Sequence, residues 1–259
     1  MLSRLAIVFA ITALAGCDTG HNPSNPGGGG GGGGGGADAA VSHDDGGADA
    51  GAGTLNGVIC LVLDPRTPLA CPSQDGSGAT LDLSGLTVAE VDGATTTTGA
   101  DGSFSLATNN SDSALLVVSG SDVRDTAIRV NVGAGSYTLP VFDATTWDTL
   151  DSTLAIAEPA TYGSAAVYIT DSGVPATGAE VVQPAGANYA PFYDGSAGPY
   201  DWSLNGLTGS YGAAMLFSIP PPFDGHTTFT VIGSGGAPLL TGLAVDVLAA
   251  TTTVVFVSL

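Results

Sequence analysis

The 259-residue sequence predicts an all-β protein, two tandem β-sandwich domains behind a Gly-rich tether. Three observations carry that expectation. Charged residues make up 11% of the chain and Gly numbers 40, so the Leu, Glu, Lys and Arg that long amphipathic helices need are scarce. From Thr54 onward, short β-rich runs are punctuated by Gly, Asp, Asn and Pro, the pattern of sandwiches and barrels. Several runs alternate, as in Ser103-Phe104-Ser105-Leu106 and Thr228-Phe229-Thr230-Val231. Alternation sets one face on a core and one in water.

The N-terminus carries an address. Met1-Leu-Ser-Arg4 is a short positive segment, and Leu5 to Leu14 is apolar apart from Thr12. That run fits a signal peptide over residues 1–16 and falls short of the roughly 20 residues a bilayer-spanning helix needs. Leu14-Ala15-Gly16-Cys17 follows. It resembles the lipobox of bacterial lipoproteins. The resemblance implies cleavage before Cys17, diacylation of its thiol and a lipid anchor in the cell envelope. Two or more acyl chains give stable anchoring, each buried CH₂ contributing about 0.8 kcal/mol. Asp18 resembles the inner-membrane retention signal of enteric bacteria, a rule that varies between bacterial groups. The outer membrane is slightly favoured over the inner.

Residues 17–53 hold the expected lipidated cysteine and linker. Ten consecutive glycines, Gly27 to Gly36, are followed by Ala, Asp and Gly, and no hydrophobic period occurs. Such a segment buries too little apolar surface to offset its conformational entropy, so a disordered tether is expected. The 36 residues 18–53 have a root-mean-square span of about 30–36 Å.

Two sets of strands follow. Residues 54–142 contain the runs Val58–Leu63, Thr87–Val91, Ser103–Ala107, Ala114–Ser119, Ile128–Val132 and Ser136–Phe142. Residues 143–159 form a break, expected as an inter-domain linker. Residues 160–259 contain Ala165–Thr170, Ala179–Val182, Ala213–Ile219, Thr227–Ile232, Leu243–Leu248 and Thr251–Val257. The halves share a pattern. Gly85-Leu-Thr-Val88 and Thr98-Gly99 through Leu106 match Gly178-Ala-Glu-Val181 and Thr208-Gly209 through Ile219. We read a weak tandem repeat of one unit.

The first half carries a resemblance. Gly57-Val58, Gly85-Leu-Thr-Val88 and Thr97-Thr-Gly-Ala-Asp-Gly-Ser-Phe-Ser-Leu106 are similar to a carboxypeptidase regulatory-like domain. The likeness implies a transthyretin-like or immunoglobulin-like sandwich that accompanies other modules and is not catalytic. It is weaker over residues 160–259, and the insert Pro65 to Gly78 departs from the family pattern. The residues agree with it physically. Asp101-Gly102 supplies a tight turn, since Gly accepts positive φ, and Phe104 then points inward.

Beyond Cys17, the cysteines are Cys60 and Cys71. In an exported chain an even pair predicts a disulfide. A loop of that size contributes about 2–3 kcal/mol by chain entropy.

Catalytic and cofactor motifs are absent. The chain lacks a nucleophile elbow, H-E-x-x-H, Walker A and the EF-hand spacing. Beyond the tether its one histidine is His226, which removes most Ser-His-Asp and Cys-His schemes. Asp18-Thr19-Gly20 and Asp171-Ser172-Gly173 imitate aspartic protease triplets, but Asp18 sits in the tether and Asp171 in a predicted turn. No enzyme activity, metal or cofactor is expected. Calcium at the turn aspartates Asp75, Asp82, Asp92, Asp101, Asp122 and Asp125 stays open, without a fixed ligand spacing. Four arginines and no lysine against 24 acids give a net charge of −20, which argues against nucleic acid as a partner.

One segment draws the eye as a binding surface. Tyr189, Phe192, Tyr193, Tyr200 and Trp202 are five of the chain's seventeen aromatics, mixed with Asp and Asn. Such groups suit a sugar or peptide surface; the favoured expectation is a hairpin whose Phe192 and Trp202 fill the second core while the tyrosines cover its edge. The expected function is a non-catalytic, lipid-anchored envelope protein with a structural, adhesive or ligand-presenting role toward a glycan or envelope protein. The alternatives are a carbohydrate-binding module centred on residues 189–202 and an accessory subunit of a secreted peptidase complex.

Overall fold

Strand formers and Gly turns divide the chain much as the alternation predicts. The computed structural model describes residues 53–71, 82–204, 206–222 and 226–259. The signal segment, Cys17 and the poly-Gly tether lie outside the described residues. The first half holds β1 (Gly53–Val62), β2 (Thr87–Glu90), β3 (Thr95–Thr97), β4 (Ser103–Thr108), β5 (Ser113–Ser119), β6 (Thr126–Asn131) and β7 (Ser136–Phe142). Helix α1 (Ala144–Thr153) follows, then β8 (Gly163–Asp171), β9 (Val174–Pro175), β10 (Glu180–Val181), β11 (Phe192–Asp194) and β12 (Trp202–Ser203). The chain closes with β13 (Ala213–Ile219), β14 (Thr227–Ile232), β15 (Pro238–Val245) and β16 (Thr252–Ser258).

Among the described residues the protein is all-β with one short helix, and its sheets stack face to face. The central sheet runs β12-β11-β13-β8-β16-β6-β5-β2-β3, with β9 added to β8. A sheet of order β4-β1-β7 and another of order β10-β14-β15 complete the layers. β4 shows the simple case: Phe104, Leu106 and Thr108 are buried while Ser103, Ser105 and Ala107 face water. β8 and β13 differ, because they are buried almost without interruption. Ala166 and Tyr168 of β8, with Ala213, Met215 and Phe217 of β13, enter the larger core. Ala165, Val167 and Ile169, with Ala214, Leu216 and Ile219, enter a second core on the opposite face. Strands covered on both faces must be apolar throughout.

One hydrogen-bonded device occurs twice. The Thr98 hydroxyl accepts the Leu86 N–H at 2.9 Å and donates to the Leu83 carbonyl. The Gly85 N–H donates to the Thr98 carbonyl at 3.0 Å, and the Ile59 N–H to the Gly102 carbonyl at 2.9 Å. In the second half the Thr208 hydroxyl accepts the Ala179 N–H at 2.9 Å and donates to the Ala176 carbonyl. The Gly178 N–H donates to the Thr208 carbonyl and the Ile169 N–H to the Gly212 carbonyl, each at 2.8 Å. Gly102 and Gly212 have φ of +75° and +65°, the left-handed region that other residues adopt only with strain. The strand pairing repeats too. β1 lies antiparallel to β4 and parallel to β7; β8 lies antiparallel to β13 and parallel to β16. β16 also pairs in parallel with β6, so the central sheet crosses from one half into the other.

The stretch 143–159 carries α1. The Asp143 carboxylate caps it by accepting the Thr146 N–H at 2.7 Å, a favourable Ncap arrangement. Trp147 and Leu150 are buried in the larger core. The Trp147 ring packs 4.9 Å from Phe142 and 5.6 Å from Phe217, between ring centroids. The helix therefore ties the last strand of the first half to β13.

Thr98 and Thr208 are almost fully buried and each serves two backbone partners. Replacing either by Val keeps the shape and strands a buried N–H and a carbonyl. Each substitution should cost about 1–3 kcal/mol in urea unfolding, and Thr→Ser at the same site should cost less.

Candidate functional site

The residues that drew attention in the sequence meet the disulfide loop of the first half. Cys60 in β1 is bonded to Cys71, with Cα atoms 5.0 Å apart. The enclosed loop carries Asp64 and Arg66. The Arg66 guanidinium pairs with Asp64 through Nη2 at 2.8 Å and Nε at 3.0 Å. Burial opposes ionisation of Asp64, but these bonds hold its carboxyl below the usual carboxylate range. Arg66 Nη1 donates to the Gly195 carbonyl at 3.0 Å, and the guanidinium lies 4.6 Å over the Tyr211 ring. The Tyr168 hydroxyl donates to the Pro65 carbonyl at 2.5 Å. The loop is thus clamped onto the aromatic segment.

Asp194 organises that segment. It ends β11, is 5% exposed, and accepts three backbone N–H groups. Gly209 donates at 2.8 Å, Tyr211 at 2.9 Å and Ala213 at 2.9 Å. A Cβ on Gly209 would lie 2.4 Å from the Asp194 carbonyl oxygen, so only glycine fits there. The sequence held a signal for this carboxylate. Asp194 continues the apolar run Phe192-Tyr193, and an acid at such a place needs donors. Sequence reasoning passed over both Asp194 and Arg66.

The five predicted aromatics do not share one surface. Phe192 is buried in the larger core, edge-on to Phe217 at 5.7 Å. Tyr193 is buried in the second core. Its hydroxyl accepts the Val181 N–H at 3.0 Å and donates to the Val181 carbonyl at 3.1 Å. Burial pushes the Tyr193 phenol up to about 12. Trp202 is buried, with Nε1 donating to the Pro199 carbonyl at 2.8 Å. Tyr189 and Tyr200 are partly buried against the larger core, and the Tyr189 hydroxyl accepts the Ala157 N–H at 3.0 Å. These rings fill and edge the cores, and their polar atoms are largely committed to backbone groups.

The remaining chemistry-bearing residues lie apart. Asp171 is exposed at the end of β8; Ser172 and Gly173 have φ of +52° and +81°, the conformation of a tight hairpin turn. His226 is half-exposed, its Nδ1 2.9 Å from Asp246, which also holds Arg129 at 2.8 Å. The Asp82 and Asp101 carboxylates accept the N–H groups of Ser84 and Ser103 at 2.9 and 3.0 Å; hydrogen bonding to the serine side chains, and then these backbone bonds, lower both carboxyls. Among the described residues no three His, Cys, Asp or Glu side chains gather in metal-ligating geometry. Asp75, Cys17 and Asp18 lie outside those residues. No described helix is long and apolar enough to cross a membrane.

A cleft occurs at the matching end of each half. In the first it measures about 90 Å³ beside Leu83, Gly85 and Val123. In the second it measures about 540 Å³ beside Ala176, Gly178 and Leu239. Two residues lining the first hold the chain entering α1: Val123 bridges Asp143, and the Asp122 carbonyl accepts the Ala144 N–H at 3.0 Å.

No protein-family model matches the chain, and no curated protein is similar to it at a significant level.

Asp194→Ala removes the acceptor of three backbone N–H groups at once, that of Ala213 buried and those of Gly209 and Tyr211 partly buried. It should cost more than about 3 kcal/mol in urea unfolding. Cys60→Ser combined with Cys71→Ser should cost about 2–3 kcal/mol, read as a lower midpoint that matches reduced wild type.

Proposed function

We propose that the chain is a non-catalytic, lipid-anchored protein of the cell envelope. Two copies of one sandwich unit are held off the membrane by a Gly-rich tether and serve a structural, adhesive or ligand-presenting role. The observation that carries the non-catalytic part is the fate of Asp194. The most enclosed carboxylate of the aromatic segment takes three backbone donors, so most of its acceptor capacity is committed to holding the backbone of residues 209–213. The described arginines Arg66, Arg124 and Arg129 are each paired with an acid. The folded part therefore offers an acidic surface and suits cationic or neutral partners. The two-copy reading draws on the twofold occurrence of the Thr-Gly hydrogen-bond device and on the shared strand pairing.

The anchored part rests on Leu14-Ala-Gly-Cys17 and on the tether. Radioactive palmitate supplied to the expressing bacterium should label the protein, and Cys17→Ser should abolish the labelling. Equal labelling of the variant, or recovery of the wild type from the cytosol, contradicts the reading.

A further inference from the structure

The inner side of α1 holds a polar cluster that the proposed function leaves unused. Arg124 enters from the segment before β6. Its Nη2 lies 2.5 Å from Glu158 Oε2, and its Nε donates to the Thr252 hydroxyl at 3.1 Å. Its guanidinium sits 5.5 Å over the Trp147 ring. The other Glu158 oxygen accepts the Ser218 N–H at 3.3 Å. Ser218 is fully buried with φ of +51°, at a register shift between β13 and β8.

Three buried side-chain atoms among the described residues lack a hydrogen-bond partner: Trp147 Nε1, Asp151 Oδ1 and Ser218 Oγ. All three belong to this cluster. Trp147 and Asp151 are one helical turn apart, hence on one face of α1. The charge balance there is uneven. One guanidinium faces two carboxyl groups, those of Glu158 and Asp151, and Asp148 of the same helix adds a further negative charge. Glu158 holds Arg124 directly, and its side chain is 7% exposed. An ionised Asp151 would place a buried carboxylate oxygen with no donor near a second carboxylate, an arrangement that burial disfavours.

We propose that Asp151 carries a proton in the folded protein and acts as a pH-sensitive latch on the seam between the halves. Loss of that proton loosens α1 from Arg124, Glu158 and Phe217. Burial, and then the Glu158 carboxylate, push the Asp151 carboxyl up to about 7 against the pull of Arg124. In the unfolded chain the same group ionises near 3.8. Between those values the folded state holds a proton that the unfolded state has lost. This contribution to stability is complete below the lower value, declines as pH rises, and is gone above the upper one. Asp125, raised by burial, acts in the same direction. Asp64, held low, acts only at more acid pH.

Urea unfolding of the folded chain at about pH 5 and about pH 8 tests the latch. The wild-type midpoint should be lower at the higher pH. Asp151→Asn should remove most of that difference by raising the midpoint at the higher pH, while Asp148→Asn keeps it. Emission from Trp147, isolated by Trp202→Phe, should titrate near neutral pH and become flat once Asp151→Asn is added. A wild-type midpoint that is level or rises with pH overturns the proposal. So does an Asp151→Asn protein that keeps the wild-type slope. Should Asp151→Asn fail to fold, carboxyl-carbon NMR of the wild type decides: titration of Asp151 near neutrality supports the latch, and titration in the ordinary aspartate range overturns it.

Discussion

The strands β8 and β13 are dry on both faces, and the other layers are arranged around that requirement. The faces are served by different partners. On one, Phe142, Trp147 of α1 and the disulfide loop cover Tyr168 and Phe217. On the other, Val181 of β10 with Phe229 and Val231 of β14 cover Val167 and Leu216. Removing either cover would expose a continuous apolar sheet face. Small residues make the double packing possible: Ala165, Ala166, Ala213 and Ala214 sit at the centre, all fully buried. Close packing of this kind leaves little room for charge, which fits the low charged fraction of the chain.

Much of this architecture was legible in the sequence because period-two alternation is a local property. The expected run Ser103–Ala107 became β4 nearly residue for residue, and Gly102 adopts the positive φ expected of the turn before it. The matched Thr-Gly pairs were visible as well, and both threonines hold the same kind of hydrogen-bond hub. Legibility failed where long-range contact overrides the local pattern. The alternation points to Leu243–Leu248, whereas β15 spans Pro238–Val245. Two register shifts against β14, one around Gly242 with φ of +70°, break the period that pattern reading depends on. Helix α1 was missed for a related reason. Ala144–Thr153 is rich in threonine, a poor helix former. The helix is held by the Asp143 cap and by burial of Trp147, neither of which composition reveals.

The aromatic segment shows the same limit at the level of the site. Aromatic density identified residues 189–202 as unusual, but density does not distinguish a platform from a core. The deciding feature was a carboxylate. Asp194 gathers the backbone of residues 209–213 while Arg66 reaches across from the disulfide loop. Sequence separation hides that pairing, since Arg66 and Gly195 lie 129 residues apart. Arg66 and Asp194 both hold loops in place.

Residue-resolved native-state hydrogen exchange tests the double-faced burial most directly. The amides of Ala165–Ile169 and Ala213–Phe217 should exchange slowest, at the rate set by global unfolding, together with those of Ile59 and Leu61 in β1. Amides of the edge strand β15 should exchange sooner. Contradiction would come from β8 and β13 exchanging as fast as β15, or from the two halves opening at separate free energies with β8 unprotected once the first half has opened.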